Sequence, residues 1–438
     1  MSSFFMQTTL PTAILILFFY LILEPTHKAK VYDRKTTKEV ANKDSTVSLS
    51  ITTTGDLMCH SSQFQLAKQA DGSYDFLPVY SLVREYLAAS DFTIGNLETV
   101  LGGATKNFSG YPQFNSPNEY ADALKKVGFD ALITTNNHSY DYQDAGIKRT
   151  LDELKNRNIP AIGTFYSASD RDSVRIFEVK GVKIALLAYT AFSNNPVAAA
   201  KRFSINFIDS ALLAKDIKKA RNIGAELILV NFHWGIEYKR FPSDYQQNIT
   251  KYAASLGADI IFGGHPHVLQ PIEFLPSKDG IGLDSCFVIY SLGNFISAQN
   301  KRYTDAGVML TLRLAKNLTT NKIHIQHTDY VPTWVFKGIL AGKSQYLIFP
   351  AFAAEAKEYP LTMKELAPEE IKFLSETHLQ KMKQAGEDTK EILTHYAKNL
   401  RNVAWKQAVK IDSIKTFPLK INVLADTVFK KKAIKYKK

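Results

Sequence analysis

The sequence predicts an α/β protein whose helices flank a largely buried sheet, and three observations predict it. From about Val47 to Ile296, apolar strand-like runs alternate with helix-like stretches, the rhythm of a layered α/β domain. Several of the runs are apolar throughout, as in Leu227-Ile228-Leu229-Val230 and Ile260-Ile261-Phe262, which suits strands covered on both faces. Polar motifs recur at the carboxyl ends of these runs, the edge at which open α/β sheets bind ligands.

The elements follow in order. Val47 to Ile51 alternates with period two and runs into Gly55-Asp56. A helix is expected around Leu77 to Ala89, then a short strand, Phe92-Thr93-Ile94, ending at Gly95-Asn96-Leu97-Glu98. Ser116-Pro117-Asn118-Glu119 reads as a capping box with proline at the first helical position, opening a helix to about Val127. Ala131 to Thr135 is a strand leading into Asn136-Asn137-His138, and a helix runs from near Asp141 to Asn156. Val182 to Ala188 is a strand, and Asp209 caps a helix to about Asn222. Leu227 to Val230 precedes Asn231-Phe232-His233-Trp234-Gly235. A helix near Tyr245 to Leu256 precedes Asp259 to Phe262, which leads into Gly263-Gly264-His265-Pro266-His267. Phe287 to Tyr290 then precedes Ser291-Leu292-Gly293-Asn294-Phe295.

The flanks differ. Ser2 to Leu23 carries no charge and is continuously apolar from Ala13, long enough to span a bilayer. With no basic leader and no clear cleavage site, it reads as an anchor rather than a cleaved signal. The positive charge after it points the body to the cytoplasm by the positive-inside rule. The expected organisation is therefore an anchor or signal at 1–23, a polar linker at 24–46, the main domain at 47–315 and an extension at 316–438. In that extension Ile323 to His327 alternates like an exposed strand, residues from about Ala367 to Trp405 look helical and charged, and the chain ends in a basic tail.

Composition bounds the function. With 438 residues, 45% apolar and 22% charged, the chain is neither collagen-like nor disordered nor multi-span. The net charge of +12 suits an anionic membrane or polyanionic substrate. Nucleic acid is set aside, because no nucleic-acid-binding signature accompanies the charge. Two cysteines, Cys59 and Cys286, make no disulfide framework. Cys59 is either a small buried residue or a thiol ligand.

Taken singly, the polar motifs are ambiguous. Asp56 is either a hard oxygen ligand or a helix cap. Asn137-His138 is either a turn or a carbonyl ligand beside a general acid. His233 is either a ligand or a buried imidazole beside Trp234, and Glu98 either a ligand or a lysine's partner. In His265-Pro266-His267 the proline and flanking glycines argue for a turn in which the two imidazoles diverge. Together, one Asp, one Asn, three His and a nearby Glu form the mixed N/O set that suits zinc, manganese or iron. One or two such ions can clamp a phosphoryl or similar centre.

These motifs resemble the CapA family, the poly-γ-glutamate capsule biosynthesis proteins, which are similar to calcineurin-like metallophosphoesterases in fold. The matching pieces are Gly55-Asp56-Leu57-Met58, Gly95-Asn96-Leu97-Glu98, Asn136 to Asp141, His233 to Glu237, Gly264 to Val268 and Ser291 to Phe295. The resemblance implies a four-layer α/β/β/α sandwich with a C-terminal appendage. It implies an exported domain on a single membrane anchor, against the charge-based orientation. It makes Asp56, Asn137, His233, His265 and His267 metal ligands, Glu98 a bridging carboxylate and His138 the acid. Asn96, Asp141, Glu237 and Asn294 would orient ligands. Two positions depart from the wider phosphoesterase pattern: Met58 replaces an expected histidine, and Asn96 an expected bridging aspartate. His60, two residues beyond Met58, is the candidate to compensate. A metal-dependent hydrolase of a phosphoester or amide-linked polyanion is the first expectation. A non-catalytic subunit of a polymer synthesis or export complex is the second. A polymer-binding module resting on Trp234 and Trp334 is the third, and core packing explains those residues better.

Overall fold

The computed structural model describes residues 45–277, 282–340, 342–351 and 374–402. The apolar N-terminal run, the linker up to residue 44 and the basic tail lie outside them. No helix among the described residues is long and apolar enough to cross a membrane.

The strands in chain order are β1 (Thr46–Leu57), β2 (Phe92–Leu97), β3 (Ala131–Ile133), β4 (Ala161–Ile162), β5 (Arg175–Val179), β6 (Val182–Thr190), β7 (Leu227–His233) and β8 (Ile260–Gly264). They continue with β9 (Ile272–Pro276), β10 (Ser285–Ile289), β11 (Asn294–Ile296), β12 (Ala306–Asn317), β13 (Ile323–Leu340), β14 (Lys343–Pro350) and β15 (Leu400–Asn402). They form two sheets. The first runs β14-β13-β12-β1-β2-β3-β4, with β11 paired to β1 and β15 to β13; the second runs β5-β6-β7-β8-β10-β9. β1 to β4 are mutually parallel, as are β6, β7, β8 and β10.

The burial pattern defines the layers. One cluster packs Ile51, Ile94 and Ile133 of the first sheet against Leu186, Leu229 and Ile260 of the second. The first sheet's other face, through Leu57, Leu97 and Leu132, packs on α1 (Ser61–Ala67), α2 (Arg84–Ala88) and α3 (Glu119–Val127). The second sheet's other face, through Ala185, Ile228, Val230 and Ile261, packs on the later helices Ser210–Asn222 and Asp244–Ser255. The architecture is thus the four-layer α/β/β/α sandwich expected. It also explains why the central strands are apolar throughout, since both faces are covered.

Local signals account for most boundaries. The Asp209 carboxylate accepts from the Leu212 N–H at 2.8 Å and caps the helix Ser210–Asn222. Ser243 and Gln246 form a capping box for Asp244–Ser255. The helix near Asp141 begins at Gln143 and ends at Asn156. Two expectations are corrected. The stretch from Leu77 to Ala89 is a 3₁₀ turn, Leu77–Tyr80, followed by the separate α2. The box at Ser116 does not form: the helix starts at Glu119, its cap is Asn118, and the Ser116 hydroxyl bonds Thr99 at 2.7 Å instead. A buried partner from the neighbouring loop outcompetes the local cap.

The sheet does not stop at residue 315. β12 pairs antiparallel with β1 from Thr46↔Asn317 to Thr54↔Met309, and β13 and β14 extend the same sheet outward. The following helix, Glu376–Leu393, is capped by Ser375 and shares an apolar cluster with Trp334, Phe336 and Phe349 of this extension.

Candidate metal centre

All six residues expected to carry the site meet at the carboxyl ends of the parallel strands. Asp56 lies at the end of β1, opposite Asn96 of β2 and Asn294 of β11. The Asp56 N–H reaches the Gly293 carbonyl at 2.9 Å. A Cβ at position 55 would lie 2.0 Å from that carbonyl oxygen, so this crossing requires glycine before the aspartate. Glu98 follows β2 directly, and its N–H bonds the Leu57 carbonyl at 3.1 Å. Asn137 and His138 lie in the turn after β3. From the second sheet, His233 ends β7, opposite Gly264 of β8, and the His-Pro-His turn follows β8.

That turn is not regular strand. His265 and His267 adopt φ of 94° and 57°, the left-handed region that non-glycine residues avoid and that clusters at functional sites. The two imidazoles diverge as the sequence suggests, with ring centroids 5.8 Å apart and planes at 56°.

Donor atoms converge in three overlapping groups, each within 4.8 Å: Asp56, Glu98 and His267; Glu98, His233 and His265; Glu237, His265 and His267. Glu98 belongs to the first two, the place of a shared carboxylate. Asn137 joins through its side-chain oxygen, 2.7 Å from His233 Nε2. The Asn294 oxygen lies 3.1 Å from His267 Nδ1. Two buried polar atoms, Glu98 Oε1 and His265 Nδ1, have no hydrogen-bond partner. Orphaned buried donors and acceptors are costly, and a cation among them would satisfy both. The cluster is therefore compatible with a divalent metal ion, and its mixed N/O donors suit the transition series.

The electrostatics agree. Burial, followed by the charges of Asp56, Glu237 and Asp141, holds Glu98 well above the usual carboxylate range. Burial also opposes ionisation of Asp56, but the His267 hydrogen bond and the neighbouring imidazoles outweigh it and bring Asp56 to about 2. Burial, reinforced by the neighbouring His267, lowers His265 to about 4. His233 is held well below its ordinary value by burial and by His265. Neutral imidazoles are the metal-binding form.

Beside the cluster, His138 Nδ1 lies 2.7 Å from Asp141 Oδ2. The same oxygen accepts the Phe114 N–H at 2.7 Å, which fixes the carboxylate and, through it, the imidazole. Phe114 stacks edge-on against His138 at 4.7 Å.

The two departures have structural roles. The Asn96 amide donates to Asp56 Oδ1 at 2.7 Å and lies 3.3 Å from His233 Nδ1. Met58 is buried, and its carbonyl accepts from Gln63 and Tyr120. His60 does not replace the missing imidazole. It caps α1, lies 3.2 Å from Gln63 Oε1 and accepts the Ala298 N–H. Cys59 is buried and free, its thiol pushed up to about 12 by burial, which does not suit a thiolate ligand. Trp234 packs in the core and donates to the Tyr290 carbonyl at 3.0 Å.

Sequence reasoning missed four neighbours. Asn136 donates to Asn96 Oδ1 at 3.2 Å and accepts from the His138 N–H. Asn194 reaches both Asn137 and His138, and Asn195 donates to Asp141. Phe192 stands edge-on to His265 at 4.9 Å. The pair Asn194-Asn195 follows strand β6 after a short turn, which was the available signal.

Fold and donor set thus define a layered α/β protein with a metal-type centre at its strand ends. The model of the bacterial capsule synthesis protein family, PGA_cap, matches residues 50–299, more than half of the chain, and the chain belongs to that family. It is 32% identical over 246 residues to the PGA biosynthesis protein CapA of Bacillus subtilis, covering 55% of this chain and 62% of that one. It is 32% identical over 279 residues to the capsule biosynthesis protein CapA of Bacillus anthracis, covering 62% and 65%. The chain thus spans a little under two thirds of the length of these relatives. Among solved structures, the NAD nucleotidase NadN of Haemophilus influenzae matches at 15% identity and a TM-score of 0.43, covering 82% of this chain and 58% of that one. The calcineurin-like phosphoesterase YfkN of Bacillus subtilis matches at 15% identity and a TM-score of 0.38, covering 79% and 99%.

Proposed function

We propose that the chain is a metal-dependent hydrolase of the cell envelope acting on a phosphoester or an amide-linked polyanion. The observation that carries this reading is the pair of donor groups sharing Glu98 beside the His138–Asp141 pair. Asp56, Glu98, Asn137, His233, His265 and His267 would hold one or two ions of manganese, zinc or iron. When bound, such an ion polarises a phosphoryl or carbonyl oxygen and acidifies water.

The chain's own residues do the rest. Asp141 engages His138 Nδ1 and so orients the ring, leaving Nε2 to protonate the leaving group. Asn194, 3.4 Å from that nitrogen, limits how the ring can turn. Asn96, Asn294 and Asp141 fix the groups they bond. The names of the two Bacillus relatives support an anionic polymer as substrate. The apolar run before residue 24 supports a single membrane anchor, and the family resemblance supports an exported domain close to polymer-synthase partners.

The test is metal content together with turnover of bis(p-nitrophenyl) phosphate and of polyglutamate. Wild type should carry transition metal. His138→Ala should keep the metal and lose about 10²–10⁴-fold in kcat. Metal-free wild type, or a His138→Ala variant of unchanged turnover, sinks the proposal.

One observation favours a second reading, a non-catalytic subunit of a synthesis or export complex. Asn96 is a neutral residue hydrogen-bonded to Asp56 at the centre, and Met58 offers only a buried thioether nearby. In that case a deletion strain should be rescued equally well by wild type and by the double variant His233→Ala, His267→Ala.

A further inference from the structure

We infer that Glu237 is a metal ligand at the mouth of the centre, completing a third donor position with His265 and His267. The inference rests on the metal-binding reading above and extends it to a residue whose only expected role was to orient ligands.

Three observations lead there. Glu237 is exposed, yet a carboxylate oxygen lies within 4.8 Å of donor atoms of both His265 and His267. Exposed carboxylates often stand near histidines without purpose, so proximity alone decides nothing. His265, however, is buried, and its Nδ1 has no hydrogen-bond partner. A buried residue with an unpartnered ring nitrogen, standing in the same group as a carboxylate, leaves a donor that a cation can satisfy.

The loop that carries Glu237 is also tied to the His-Pro-His turn rather than free beside it. The Trp234 N–H bonds the Gly264 carbonyl at 3.1 Å, and the Tyr238 N–H bonds the Pro266 carbonyl at 2.8 Å. Gln270 Nε2 holds the Lys239 and Phe241 carbonyls at 2.9 and 3.2 Å. Tyr238 takes a φ of 67°, the left-handed conformation that lets the chain turn back over the histidines. Two loops cross-linked on both sides of Glu237 keep its position relative to the imidazoles, the preorganisation a ligand needs.

Charge supplies the reason for a third acid. Asp56 and Glu98 are the carboxylates of the two inner groups, and the histidines and asparagines there are neutral ligands. Two divalent ions would leave that set with excess positive charge, and Glu237 removes part of it from the solvent side. Because His265 and His267 each also belong to an inner group, the outer position adjoins the inner ones.

The test is titration of the metal-stripped full chain in detergent with Mn²⁺, read by calorimetry. Glu237→Gln, Glu237→Asp and the remote exposed Glu178→Gln are compared with wild type. The expected result is a loss of about 10–100-fold in affinity for one Mn²⁺ in Glu237→Gln, partial recovery in Glu237→Asp, and no change in Glu178→Gln. The melting temperatures of all metal-free variants should match wild type. Wild-type Mn²⁺ affinity in Glu237→Gln overturns the inference and leaves the metal reading intact. Absence of Mn²⁺ binding by wild type overturns both.

Discussion

At the scale of single residues, the centre is a set of groups that folding without metal makes uncomfortable, and their titration should show it. His265 binds its proton near 6.5 in an unfolded chain but only near 4 when buried. Between those values folding expels a proton, so stability falls as the pH drops through that window, by up to about 1.4 kcal/mol per pH unit for each proton expelled. Glu98 works in the other direction. Its folded value is raised, so its contribution is present in full below about 4.3 and is lost as pH rises through the folded value. Chemical denaturation of metal-free Glu98→Gln should therefore show greater stability than wild type near neutral pH, by about 1–3 kcal/mol. The same variant should bind metal more weakly. A metal-free variant less stable than wild type would mean that Glu98 is already satisfied. The residues that converge at the strand ends were legible in the sequence because each follows an apolar run in a short motif. Asn194 and Phe192 were not. Their value lies in reaching Asn137 and His265, 57 and 73 positions away, and no local pattern announces such contacts.

At the scale of elements, the His-Pro-His turn depends on what precedes it. A Cβ on Gly264 would lie 2.7 Å from Asp56 Oδ1 and 3.5 Å from His233 Nδ1. Asp56 is buried and held by Asn96 and the His265 N–H, so it has little room to yield. Gly264→Ala should therefore weaken metal binding about tenfold or more, with the circular dichroism spectrum of the folded state preserved. Unchanged Mn²⁺ affinity would show that Asp56 is dispensable. Periodicity predicted these strands well because burial on both faces writes long apolar runs into them. Boundaries governed by tertiary partners were harder to read. Ser116 has the spacing of a helix cap, yet its hydroxyl turns to Thr99. Nothing within four residues of Ser116 records that preference.

At the scale of the whole described structure, the sheet joins the two segments expected to part at residue 315. The strand character of Ile323 to His327 was visible, but its pairing was not, because β-pairing is a long-range fact. β13 runs on to Leu340 and pairs with β12 from Ala306↔Trp334 to Lys316↔Ile323. A chain ending at residue 315 would leave the long edge of β12 bare and remove Tyr330, Val331 and Val335 from the apolar clusters. Such a chain should be insoluble on expression, since unpaired apolar edges template aggregation. Recovery of a soluble truncation with wild-type metal affinity would show that β13 and β14 are dispensable.

The six inner donors divide evenly between the two sheets: Asp56, Glu98 and Asn137 come from one, His233, His265 and His267 from the other. Each of the two groups that contain Glu98 combines both, so the sheets cannot slide over one another without scattering the donors. A bound ion would act as a rivet through the sandwich, and its affinity would be read back as resistance to unfolding, about 2.7 kcal/mol at a hundredfold excess over Kd. Amide hydrogen exchange offers a direct view. Adding metal should slow exchange together at the carboxyl ends of β1 and β8, strands that share no backbone hydrogen bond in the sheets, and chelation should release both at once.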